Sequence, residues 1–71
     1  MKLFILKTNI NNSNDFESIA PNFMEQEGIL DWSVDLEDRD KVLRIEAVDE
    51  LEENDIINMV TQQGFLCEDL V

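Results

Sequence analysis

Lys7–Met24 reads KTNINNSNDFESIAPNFM, and it divides into a strand end, a polar loop and a helix start. Leu3 to Thr8 is apolar and β-prone and is bounded by asparagines, which predicts a strand. Period-two alternation puts Leu6, Thr8 and Ile10 on one face, with Phe4 ahead of them. Asn14 followed by Glu17 has capping-box spacing, and Asp15 stands where a helix dipole favours negative charge. Phe16, Ile19, Ala20, Phe23 and Met24 then recur at i, i+3, i+4, i+7 and i+8, the stripe of a one-faced helix that Gly28 ends. Pro21 removes one interior hydrogen bond. Because the stripe passes through it in phase, a kink is expected there rather than a break.

Downstream, Ile29 to Leu36 predicts a second strand, with Leu30, Trp32, Val34 and Leu36 alternating against Asp31, Ser33 and Asp35. The polar run Glu37–Asp40 reads as a hairpin turn. Val42 to Val48 is a third strand, Leu43, Ile45 and Ala47 on one face and Arg44 and Glu46 on the other. Asp49 to Asp55 holds five acids in seven residues and leads into a second helix through Ile56, Ile57, Met59 and Val60. Gly64 closes that helix, and Phe65 to Leu70 is a short last strand. The order β-α-β-β-α-β over 71 residues predicts a ferredoxin-like sandwich, an α+β fold with one four-stranded antiparallel sheet and two helices on one face. No linker or low-complexity tract interrupts it, so residues 1–71 are expected to form a single domain.

Seventy-one residues lie near the lower size at which one core sustains folding, and a 44% hydrophobic content suffices to fill it. Seventeen acids against five bases give a formal net charge of −12. A field of that sign repels phosphate backbones and anionic lipid, so nucleic acid and membrane surfaces are not expected partners. A basic protein is. Cys67 is the single cysteine, which excludes an intramolecular disulfide and fits a reducing compartment. MKLFILK is too short in its apolar run to be a signal peptide, and no segment reaches the ~20 apolar residues that span a bilayer. The expected location is the cytoplasm.

The chain resembles the heavy-metal-associated domain family of copper chaperones and metal-ATPase appendages, over nearly its whole length. Ile10-Asn11-Asn12-Ser13-Asn14-Asp15 stands where the family carries Met/Ile-x-Cys-x-x-Cys. Ile19 and Phe23 meet the apolar helix positions that follow it. Gly28-Ile29 and Trp32-Ser33-Val34-Asp35-Leu36 are similar to the family's Gly-Val turn and Val-x-Val-Asp-Leu strand. Ile56-Ile57-Asn58-Met59-Val60 with Gly64-Phe65 is similar to its closing pattern. Lys7–Asn11 and Pro21 match a subset of bacterial members. The departure falls on the metal ligands, because Asn12 and Asp15 occupy the two cysteine positions. Cu(I) takes soft sulfur in nearly linear or trigonal arrangement and moves between partners by ligand exchange, whereas amide and carboxylate oxygens are hard donors.

Two readings follow from that resemblance. In the first, the thiol site is lost and the chain is a non-enzymatic interaction or regulatory module. It docks a basic protein through Ile10, Asn12, Ser13, Asn14, Asp15 and Phe65, with no cofactor. In the second, the chain is a copper-chaperone-like metal-binding or metal-transport protein whose degenerate site uses Asn12, Asp15 and Cys67. A calcium loop is a poor fit to Asn9, Asn11, Ser13 and Asp15, because positions six and twelve are Asn14 and Ala20 rather than glycine and glutamate. Trp32 and Phe65 are expected to pack inward, and the acidic groups 35–40 and 49–55 are candidate docking faces. Enzymatic chemistry is not expected: there is no histidine or tyrosine, and no nucleophile stands beside a base. The loop after the first strand lacks the arginine and glycines of an acylphosphatase. The third strand lacks the basic and aromatic surface of an RNA-recognition domain.

Overall fold

A computed structural model of the protein describes residues 1–70; residue 71, the end of the expected domain, lies outside the described residues. The elements are β1 (Lys2–Thr8), α1 (Ser13–Glu25), β2 (Ile29–Asp35), β3 (Val42–Ala47), α2 (Glu53–Gln62) and β4 (Cys67–Asp69). They build one antiparallel sheet of order β2-β3-β1-β4, the ferredoxin-like arrangement. Alternation decides which face is covered. Leu6, Leu43, Ile45 and Ala47 from the central strands are fully buried in one cluster with Ile19 and Phe23 of α1 and with Ile56 and Val60 of α2. Each large side chain removed from water there contributes about 1.5–3 kcal/mol. Trp32 adds to this layer as expected, its ring tilted against that of Phe23 with centroids 6.0 Å apart.

α1 runs unbroken through Pro21. Its N-cap, however, is Asn12 and not Asn14, which lies exposed in the first helical turn. α2 ends as Gly64 predicts. With φ at 93°, Gly64 donates its N–H to Thr61, and Phe65 donates to Val60, the paired bonds of a Schellman close.

Two strand expectations are corrected. Alternation puts Leu30 inward with Trp32 and Val34, but it is 56% exposed and Ile29 takes the inward place. The cause is a β-bulge: Ile29 pairs with Ala47 and Asp31 with Glu46, so one extra residue shifts the phase. The sequence predicts a last strand over Phe65–Leu70, and the strand formed, Cys67–Asp69, is only three residues long. The Phe65 N–H goes to Val60 and the Leu66 N–H to the Asn9 side chain, so neither joins the ladder with β1.

Candidate functional site

Three connections meet where β1 and β2 end and β3 and β4 begin: residues 9–12, 36–41 and 63–66. Short polar side chains hold them together. Thr8 is only 6% exposed, and its Oγ1 donates to the Lys41 carbonyl at 2.6 Å while accepting the Ile10 N–H at 3.2 Å. The Thr8 N–H extends the join to the Asp40 carbonyl at 3.1 Å. One residue later, Asn9 Oδ1 accepts the Leu66 N–H at 2.8 Å and ties the first loop to the last corner across 57 positions of chain. The sequence pattern sets Thr8 on one strand face with Leu6 and Ile10 and offers Asn9 as a loop oxygen donor, and neither reading contains these joins. The one local signal is chemical: a threonine at a strand exit can accept the N–H two residues on, as Thr8 does from Ile10.

Asn12 and Asp15 are engaged with the start of α1. Asn12 Oδ1 accepts the Asp15 N–H at 2.9 Å, and Asp15 Oδ2 accepts the Asn11 N–H at 3.1 Å. The three-residue spacing that holds two cysteines in the resembled family therefore serves here as a helix cap, with the Asp15 carboxylate reaching one residue further back to Asn11. One N–H group that the helix start would leave without a partner, that of Asp15, is satisfied. Ser13 and Asn14 stand exposed beside Asn12, and Asp15 is half-buried. Ile10 is fully buried, so its part in any docking surface is support from beneath. Phe65 is half-buried against the core.

Cys67 opens on a different feature, a cleft of about 290 Å³ that it shares with Lys7, Thr8, Asn9 and Thr61. Burial, then the negative charges of Glu53 and Glu68, push its thiol up to about 11. At neutral pH it therefore keeps its proton, whereas the metal ligand is the thiolate. Among the described residues no three histidine, cysteine, aspartate or glutamate side chains are grouped to hold a metal ion. Two hard oxygens already occupied by backbone donors and one protonated thiol do not fit a soft ion such as Cu(I).

Charge is sorted by layer. All five bases lie at positions 2, 7, 39, 41 and 44, so neither helix carries one. The two acidic groups separate as well. The 35–40 group flanks the first loop, its Asp40 within 3.8 Å of Lys7. Asp49 and Glu52 instead meet the Met1 amine and Lys2, at the other end of a β1 roughly 20 Å long. The Met1 amine holds the Asp49 carboxyl below the usual carboxylate range, by hydrogen bond and by charge. No helix among the described residues is long and apolar enough to cross a membrane.

No protein-family model matches the sequence, and no curated protein matches it. Solved structures do. The yeast copper transporter domain Ccc2a, studied in apo and Cu(I)-loaded states, superposes with a TM-score of 0.83 at 18% identity, covering 99% of this chain and 96% of that one. A chain of the Atx1–Cu(I)–Ccc2a complex gives 0.84 at 18% identity over 100% and 97%. The CsoZ metallochaperone gives 0.78 at 10% identity over 94% and 96%. At these identities the likeness is one of fold.

Proposed function

We propose that this chain is a metal-handling domain of the heavy-metal-associated type that acts by docking a protein partner. Of the two readings drawn from the sequence, the comparisons favour metal handling over a module detached from metals. The observation that carries it is the near end-to-end match to a copper transporter domain, one of whose solved forms is a complex with another protein and Cu(I). The docking surface in this reading is the exposed first loop with Asn12, Ser13 and Asn14, the start of α1, and the corner at Gly64-Phe65. The preferred partner is basic, because the adjoining helical layer carries acids and no bases. The domain is non-enzymatic and cytoplasmic. Since the donors on this chain do not suit a soft ion, the thiol pair for the cargo belongs to the partner.

Titration of the reduced protein with Cu(I) against a competing chelator tests the reading, in parallel with Cys67→Ser and Asp15→Ala. Complex formation with a basic Cys-x-x-Cys domain is then measured with and without Cu(I). The expected result is weak binding by the chain alone and a complex that salt and Asp15→Lys both weaken. Tight one-to-one binding that both substitutions abolish would make the chain a carrier in its own right, through the degenerate site. No complex and no binding would remove it from metal handling.

A further inference from the structure

The helices cover one face of the sheet, and the other face is built from cross-strand rows: Asp31–Glu46–Leu3, then Ser33–Arg44–Ile5, with Lys7 beside Glu68 at the β4 edge. One-sided antiparallel sheets ordinarily turn polar residues outward. Here two of the three outward positions of β1 are apolar, Leu3 and Ile5, and β1 is a central strand. Leu3 is 49% exposed. The bulge in β2 sends Leu30 out of the core as well, at 56%.

We infer that this face receives a second copy of the chain, sheet against sheet. Charge selects the occupant. Two copies meeting through their helical layers bring together only acids, since neither helix has a lysine or arginine. The outer sheet face instead carries a base and an acid two residues apart on one strand, Arg44 and Glu46, with Lys7 nearby. A twofold axis that sets the two β3 strands antiparallel places Arg44 of each copy against Glu46 of the other. Leu3, Ile5 and Leu30 then lose their exposed area to the interface.

A charge of −12 on each copy opposes this association. The screening length falls from about 10 Å at 0.1 M salt to about 3 Å at 1 M, so the dimer strengthens with salt. A basic partner at the loop end behaves in the opposite sense. The inference therefore stands apart from the proposed function and can fail without it.

Sedimentation equilibrium under reductant, across protein concentration at low and high salt, is the measurement. The mass is expected to move from 8.3 kDa toward twice that value as protein and salt increase. Leu3→Glu, with Leu30→Glu as a second variant on the edge strand, should weaken the dimer by about tenfold or more. Arg44→Glu and Glu46→Arg should each do the same, and the double exchange should restore association. That rescue is a response that loss of folding cannot imitate. A mass of 8.3 kDa under every condition overturns the inference. So does a dimer indifferent to Leu3→Glu and Leu30→Glu, a dimer that Asp15→Lys dissolves, or a double exchange that fails to rescue.

Discussion

The two ends of the sandwich are closed by different means. Where α1 passes into β2, the close is apolar and leaves no room: Gly28 has φ at 99°, and a Cβ there would meet Val48 Cγ2 at 2.9 Å and Leu51 Cδ1 at 3.2 Å. Its carbonyl accepts the Val48 N–H at 2.8 Å, and Lys2 Nζ donates to the Leu51 carbonyl at 3.0 Å. At the loop end, Thr8 and Asn9 join the three connections and Asn12 and Asp15 brace the start of α1, all by hydrogen bonds to backbone. Packing fixes an end by burying it. Polar tethers fix an end while leaving its surface open, which is what a docking surface needs.

The contrast is sharpest between the two glycines. Gly28→Ala is expected to destabilise by about 2–4 kcal/mol, because a left-handed backbone and a close contact act together. Gly64→Ala has the strained backbone, φ 93°, with nothing within 4 Å of the new methyl. It should cost only about 1 kcal/mol. Chemical denaturation of both variants measures the gap, and equal losses would mean the packed end is not packed as described. Next in size is Thr8→Val, about 1–3 kcal/mol, since the Lys41 carbonyl and the Ile10 N–H both lose a shielded partner while the shape is kept. Amide exchange at Ile10 should accelerate in that variant. Asn12→Ala should cost about 1 kcal/mol, the usual value of a helix cap. A larger loss would show that Asn12 supports more than the start of α1.

These residues also mark what was legible in the sequence. Leu43, Ile45 and Ala47 alternate without interruption, and the Ile19–Phe23 and Ile56–Val60 stripes keep helical phase, so the layers could be read from spacing alone. Leu30 could not, because a bulge is a choice of register made between two strands and leaves no mark on one of them. Spacing to Glu17 points to Asn14 as the cap of α1, whereas Asn12, at a position of lost ligation, makes it. An asparagine run offers several caps of similar quality, and the one used is the residue whose Oδ1 meets the Asp15 N–H. The joins made by Thr8 and Asn9 bridge 33 and 57 positions of chain, beyond any local pattern.

The variant with the smallest expected effect at neutral pH, Cys67→Ser, separates the two readings of the loop end most directly. In the folded chain the Cys67 thiol titrates near 11, against 9.0 for an unperturbed group, because burial and nearby acids disfavour the thiolate. Below pH 9 both folded and unfolded chains keep the proton, so the group adds no pH dependence. As pH rises through 9 the unfolded thiol ionises first, the unfolded state gains, and stability falls until the folded thiol also titrates near 11. Cys67→Ser should remove that slope and leave stability at neutral pH little changed. Lysines titrate in the same range, so the quantity to follow is the difference between the two proteins, together with alkylation rate against pH. Slow alkylation at neutral pH, rising toward 11, keeps Cys67 a packing residue of the tethered end. Fast alkylation at pH 7 would reveal a stabilised thiolate beside Asn9 and Thr61, and with it a soft donor that the present geometry does not supply.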